Sequence, residues 1–318
     1  MAPAKGHGTS SLGRLVKLRA GDLEVTAFET PAAGRRGGGH KGAAPVALCL
    51  HGFPDNPHSF DELAPALAAA GFRVVVPMMP GYEPSSQPAD GDYSVAALAD
   101  HLGALIEGLN LGDTPLHLIG HDWGAVIGHV VAADRPKTLA SWTAIAIPPT
   151  GRLLATAASA PWILLPFWYI ALFQARGLAD WLLERHDWRL VEVLWRRWSP
   201  GWQAPARALT SVKATLAGPG VKHAALAYYR ALFAVLSPRF REGMTRASRR
   251  IKVPSLILAG RNDGCFPVGA FTRAVREQDY PAGVRLEIVD GAGHFLHREK
   301  PETVNALIVA HLRKAAGG

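Results

Sequence analysis

The sequence predicts an α/β fold, a mostly parallel sheet flanked by helices and interrupted by an all-helical insertion. Three observations carry this reading. Short continuous apolar runs, "PVALCL" and "PLHLIG" among them, have the length and composition of strands buried on both faces. They alternate with amphipathic runs of helical period, the order that lays helices on a parallel sheet. From Pro148 to about Arg250 the alternation stops, and the chain reads as helical, aromatic and rich in Arg.

The elements follow in order. "RLVKLRA" and "LEVTAFE" are extended runs separated by the turn residues Gly21 and Asp22. A basic, glycine-rich loop, Gly34 to Lys41, leads to the buried strand "PVALCL". "SFDELAPALAAAG" has helical periodicity and ends at Gly71. "RVVVPMM" is the next buried strand, and "YSVAALADHLGALIEGL" is a long amphipathic helix. "PLHLIG" is a strand, "DWGAVIGHVVAADRP" a helix stopped before Pro136, and "LASWTAIAI" another strand. After the insertion, the strands "PSLILAG" and "VRLEIVD" alternate with the helices "VGAFTRAVREQ" and "KPETVNALIVAHLRKA". The expected organisation is a core of residues 1–148 and 251–318 carrying a helical lid of residues 149–250. The insertion has the size of a small domain.

Composition sets the class. The 318 residues are 48% hydrophobic and 19% charged, which supports a large core and excludes wholesale disorder. The net charge of +8 comes with no nucleic-acid-binding motif, so it reads as a solvated basic surface and no nucleic-acid partner is expected. The two cysteines, Cys49 in an apolar run and Cys265 near a strand end, do not make a disulfide framework and fit a reducing compartment. The N-terminus lacks an apolar core of signal-peptide length. The most apolar run, Pro161 to Phe173, is too short to span a bilayer and is interrupted by Pro166. A soluble cytoplasmic protein without stable membrane insertion is expected, as a monomer or homodimer. "DWRLVEVLWRRWSPGW" has the composition of a membrane-surface helix. A lid helix burying the stripe Trp188, Val191, Trp195 and Trp198 explains it equally well and is the preferred reading. No metal-ligand spacing or phosphate loop appears, so neither metal nor cofactor is expected.

Three ionisable residues fall where strands end, the positions at which an open α/β sheet presents its ligands. Asp122 follows "LHLIGH", Asp263 follows "SLILAGRN" and His294 follows "EIVDGAG". Asp122 stands between Gly120 and Gly124, which permit a tight strand-to-helix turn. Its competing role is helix N-cap. Asp263 also suits a turn, and His297 is the rival of His294.

This pattern resembles the α/β-hydrolase superfamily over nearly the whole chain, and "HGFP" (His51 to Pro54) with "GHDWG" (Gly120 to Gly124) is similar to its epoxide hydrolase branch. The order acid, acid, histidine matches the superfamily's nucleophile, acid, histidine order, with Asp122 where Ser is usual. The resemblance implies an oxyanion hole from the backbone N–H groups of Phe53 and Trp123. It further implies that Tyr169, in "FWYIALFQ", and Tyr229, in "LAYYRAL", polarise the epoxide oxygen. On helical spacing, Tyr169 shares a face with Leu165 and Phe173, and Tyr229 shares one with Leu226 and Phe233. Tyr228 is the rival of Tyr229. "MMPGYEPSSQP" departs from the family, whose members often carry Asp or Arg before this Gly-Tyr.

An aspartate nucleophile also narrows the chemistry. Attack on an ester or amide carbonyl would give an anhydride, whereas attack on a saturated carbon gives a stable alkyl ester that water then hydrolyses. The expected reaction opens a small apolar epoxide to a vicinal diol. Asp122 would be nucleophile, Asp263 would orient His294, and His294 would activate water. Phe167, Trp168 and Phe173 are expected to line the substrate pocket. Haloalkane dehalogenation by the same Asp122 is the first alternative. A non-catalytic member that binds an apolar ligand is the second.

Overall fold

A computed structural model describes residues 12–34 and 43–317. The readings made above of residues 1–11 and of the basic loop beyond Gly34 fall outside them. The described strands form one eight-stranded sheet: β1 (Arg14–Ala20), β2 (Leu23–Thr30), β3 (Val46–Leu50), β4 (Arg73–Pro77), β5 (Leu116–His121), β6 (Leu139–Ile145), β7 (Ser255–Gly260) and β8 (Val284–Val289). Their spatial order is 1-2-4-3-5-6-7-8. β2 runs antiparallel to both β1 and β4, and the remaining pairs are parallel.

The apolar strands are buried on both faces because side chains alternate across a strand. In β3, Val46, Leu48 and Leu50 join one core cluster while Ala47 and Cys49 join the other. β7 divides the same way, with Ile257 and Ala259 on one side and Leu256 and Leu258 on the other. Helices α1 (Leu63–Ala69), α2 (Val95–Gly108) and α3 (Trp123–Asp134) follow β3, β4 and β5. Cys49 and Cys265 are both free and buried.

Between β6 and β7 come α4 (Leu153–Ser159), α5 (Trp168–Gln174), α6 (Leu178–Trp198), α7 (Ala206–Leu216), α8 (Val221–Ala231) and α9 (Pro238–Ala247). After β7 come α10 (Val268–Ala274), α11 (Leu296–Glu299) and α12 (Pro301–Ala315). The inserted region is helical, as its composition predicts, but its end needs correction. α9 packs on α2 and α3, where Arg246 pairs with Asp134 at 2.6 Å and Asp100 at 2.8 Å. Residues from Pro238 onward therefore rest on the core, so the packing boundary of the lid lies before residue 250. α6 is broken at Arg185–Trp188, and beyond the break it buries Trp188, Val191, Trp195 and Trp198. Among the described residues no single helix is long and apolar enough to cross a membrane.

Candidate active site

The turn from β5 into α3 fixes Asp122. A side chain on Gly120 would collide with the Gly124 carbonyl, and one on Gly124 with the Leu50 carbonyl, so both must be glycine for the turn to close. Asp122 itself has φ 50° and ψ −121°, a conformation a non-glycine residue adopts at a cost. It occupies the N-cap position of α3, yet its side chain makes no cap hydrogen bond. Instead Oδ1 accepts from the Phe53 N–H at 2.7 Å, and Oδ2 lies 3.4 Å from His294 Nε2. The carboxylate is thus turned away from the role that would explain it structurally. The Trp123 amide opens α3 directly after it. A Cβ on Gly52 would come within 2.6 Å of that amide nitrogen and would overlap Asp122 Oδ1. Gly52, the carboxylate and the Trp123 N–H therefore form one tight cluster.

His294 and Asp263 come from the ends of β8 and β7. His294 Nδ1 lies 3.0 Å from Asp263 Oδ2. Asp263 Oδ1 accepts from the Cys265 N–H at 2.7 Å and the Phe266 N–H at 3.0 Å, which fixes the carboxylate from behind. Four buried imidazoles crowd this region, and they differ in charge. Burial lowers the pKa of His51 to about 4 and pushes His121 and His297 well below the usual value. Burial also pulls His294 down, but the Asp263 and Asp122 carboxylates outweigh it and raise the pKa to about 10. His297 points elsewhere, 2.8 Å from Ser59 Oγ, and Ser59 in turn donates to the buried Asp55 at 2.7 Å.

The end of α6 holds the two loops that carry these groups. The Trp198 carbonyl accepts from the Gly264 N–H and the His294 N–H, both at 3.0 Å. Ser199 Oγ accepts from the Phe295 N–H at 3.2 Å and donates to Glu299 at 2.6 Å. Glu299 also accepts from the Gly293 N–H at 2.8 Å. Neither Ser199 nor Glu299 stands out in the sequence. Four of these five contacts involve backbone groups, which leave no side-chain signature, and only the short "HFLHRE" spacing hints at Glu299.

A cavity of about 450 Å³ opens over Asp122 and Trp123. Tyr169 and Tyr229 both line it, their rings 5.7 Å apart and nearly perpendicular. Burial, with Asp122 nearby, pushes both phenols well above their ordinary pKa, so they keep their protons. Tyr169 Oη lies 3.5 Å from Cys265 Sγ. The buried Tyr229 Oη meets no partner of normal hydrogen-bond geometry among the described residues. Its neighbour Tyr228 donates to the Pro80 carbonyl at 2.6 Å, within the stretch that departs from the family pattern. Gln174 and Arg230 tie the two tyrosine helices together. Gln174 donates to the Tyr229 carbonyl at 3.1 Å, and Arg230 donates to the Phe173 carbonyl at 3.1 Å.

Several pocket expectations need correction. Phe167 lines the cavity, but Trp168 does not: its ring is exposed and lies under Arg197. Phe173 is also absent from the lining, because it is buried behind the tyrosines against Phe53 and Tyr229. Leu165 does not share a buried face with Tyr169. Pro161–Phe167 is a 3-10 helix and α5 starts only at Trp168, so the spacing of an α-helix does not apply and Leu165 is exposed. Phe233 lies beyond the end of α8 but still reaches the cavity, whereas Leu226 is buried. His186 and His223 stay outside it, bonded to Arg185 and Asp180. Apart from Asp122, the lining holds no charged side chain. Among the described residues no group of three His, Cys, Asp or Glu side chains is arranged to hold a metal ion.

Comparison with known proteins adds to this geometry. A family model for the alpha/beta hydrolase fold matches residues 45–301. The chain is 30% identical over 307 residues to Epoxide hydrolase A of Mycobacterium tuberculosis, covering 85% of this chain and 90% of that one. It is similar to the crystal structure of Epoxide Hydrolase A from Mycobacterium thermoresistibile, with a TM-score of 0.73 and 26% identity over 94% of this chain and 98% of that one. A Burkholderia Fluoroacetate dehalogenase is 38% identical over 113 residues, 34% of this chain and 36% of that protein.

Proposed function

The chain belongs to the α/β-hydrolase fold family, in its epoxide hydrolase branch, and from that premise we propose that it opens an epoxide to a vicinal diol through an ester on Asp122. One observation carries the reading. A carboxylate that declines its capping role faces an apolar cavity whose wall also holds two protonated phenols.

In the first step an Asp122 oxygen attacks an epoxide carbon and the ring C–O bond breaks. Tyr229 and Tyr169 hydrogen-bond the oxygen as charge develops on it. Ester formation removes the negative charge on Asp122, so the pKa of His294 falls and the proton it releases ends on the alkoxide. His294 is then neutral and takes a proton from water, which attacks the Asp122 carboxyl carbon. The Phe53 and Trp123 N–H groups hold the tetrahedral oxyanion, and Asp263 stabilises the imidazolium. Collapse releases the diol and restores the starting charges.

A halide would need N–H donors opposite the nucleophile, and a carboxylate-bearing substrate would need a cation there. The cavity lining holds one indole, Trp123, and no lysine or arginine; apart from Asp122, its remaining polar side chains are the two phenols, Ser94 and Thr150. The test is intact mass of a His294→Gln variant incubated with an aryl epoxide and, separately, a short bromoalkane. A gain of the whole epoxide mass, absent from a second Asp122→Asn variant, is expected. A gain of only the alkyl group from the bromide would make the chain a dehalogenase. No adduct from either, with ligand bound at the lid, would favour a binding role.

A further inference from the structure

The mouth of the cavity is unusually apolar on its outer side. Leu154, Leu164 and Phe233 line the cavity and are also exposed. Beside them in the chain, Leu165 is 78% and Leu236 88% exposed. Single exposed leucines are ordinary, but a group gathered at one opening marks an interaction surface.

The charge pattern identifies the partner. Residues 149–179 and 223–241, which supply all of these side chains, contain no Asp or Glu, and they carry Arg152, Arg176, Arg230, Arg239 and Arg241. Arg152, Arg230 and Arg239 pair with carboxylates from neighbouring elements. Arg176 and Arg241 have no such ion pair among the described residues. The patch is therefore apolar at its centre and basic at its edge, and the carboxylates that border its segments, Asp180 and Glu242, are paired with Arg230 and with Arg239 and Arg246. An anionic lipid surface has the complementary character, apolar beneath and negative at the headgroups. A second copy of this chain does not, because a twofold contact would set the same carboxylate-free segments against themselves. The backbone agrees: Thr150–Ser159 and Pro161–Gln174 are together apolar enough to enter a membrane, but a bend of 118° between them suits lying on a surface rather than crossing it.

We propose that the lid docks reversibly on anionic bilayers through Leu154, Leu164, Leu165, Phe233 and Leu236, with the cavity mouth turned toward the lipid. An apolar substrate dissolved in the bilayer would then reach Asp122 without crossing water. The proposal uses the cavity but not the reaction assigned to it, and its test involves no turnover.

The experiment is co-sedimentation of the full chain with vesicles of phosphatidylcholine alone or with about a quarter phosphatidylglycerol. Binding is expected only to the anionic vesicles and is expected to weaken at high salt. A Leu165→Asp/Leu236→Asp variant should partition at least about tenfold less, since each leucine contributes through burial of apolar area. Unchanged thermal melting and circular dichroism would show that the variant is folded. Absence of binding to anionic vesicles at low salt would overturn the proposal, as would equal binding of wild type and variant. A wild-type dimer that the double variant makes monomeric would also overturn it, and would assign the face to a second copy.

Discussion

His294 Nε2 lies 3.4 Å from Oδ2 of Asp122, so the proposed base is held against the nucleophile it later serves. The contact couples the charge of one to the protonation of the other. In the proposed mechanism, an ester on Asp122 would thereby switch His294.

The coupling predicts opposite pH demands for the two steps. Ester formation uses the Asp122 anion beside a protonated His294, whose pKa is raised to about 10 in the free protein. Ester hydrolysis uses neutral His294, and with Asp122 esterified one of the two carboxylates that raise its pKa is gone. Rapid-quench experiments with mass detection should find more ester at about pH 6 than at about pH 9. A steady-state ester fraction independent of pH would contradict the coupling.

The same shift affects stability. The folded chain binds the His294 proton more tightly than the unfolded chain, whose imidazole titrates near the ordinary 6.5. That contribution is complete below about pH 6.5 and is lost as pH rises through about 10. Thermal melting of the wild type should therefore fall more steeply between about pH 7 and pH 10 than that of His294→Gln. Parallel curves would mean that His294 is not held in its charged form.

Adjacent tyrosines should separate chemistry from packing. Tyr228 spends its hydroxyl on the Pro80 carbonyl, so Tyr228→Phe should cost about 1 kcal/mol of stability and leave the chemical step nearly intact. The Tyr229 hydroxyl forms no comparable bond. Tyr229→Phe should leave melting unchanged and slow ester formation about 10- to 100-fold, with ester hydrolysis unaffected. Tyr169→Phe should act in the same direction. The reverse pattern, with Tyr228 controlling the rate, would reassign the oxygen-polarising hydroxyl.

Periodicity alone recovers most of the sheet and its helices, because strands buried on both faces and amphipathic helices leave strong local patterns. The proposed site residues lie where the strand pattern points: Asp122 follows β5 directly, and Asp263 and His294 sit in the short loops after β7 and β8. The lid was less legible. Pro166 replaces α-helix with 3-10 helix before Trp168, which rotates Leu165 and Trp168 away from the faces that α-helical spacing assigns them. α9 reads as one more lid helix, yet Arg239, Arg246 and, just past its end, Arg249 tie it to the core through Asp92, Asp100 and Asp134. Most of the bonds that steady the histidine loop were not legible, since a carbonyl such as that of Trp198 carries no residue-specific signal.

Glu299 provides a last prediction, on positioning rather than chemistry. Its two oxygens accept from Ser199 Oγ at 2.6 Å and the Gly293 N–H at 2.8 Å, joining the lid to the residue before His294. Burial raises its pKa, so the carboxylate is held there by these donors rather than by solvent. Glu299→Ala leaves both donors unpaired and should cost about 2 kcal/mol of stability. It should also free His294 to drift from Asp122, slowing ester hydrolysis, which needs His294 as base against the ester, about tenfold or more, and slowing ester formation, where His294 only gives up its proton, much less. Glu299→Gln keeps an acceptor oxygen and should recover part of both losses. A loss of stability with both steps slowed alike would reduce Glu299 to a packing residue, because only a displaced His294 slows the second step selectively.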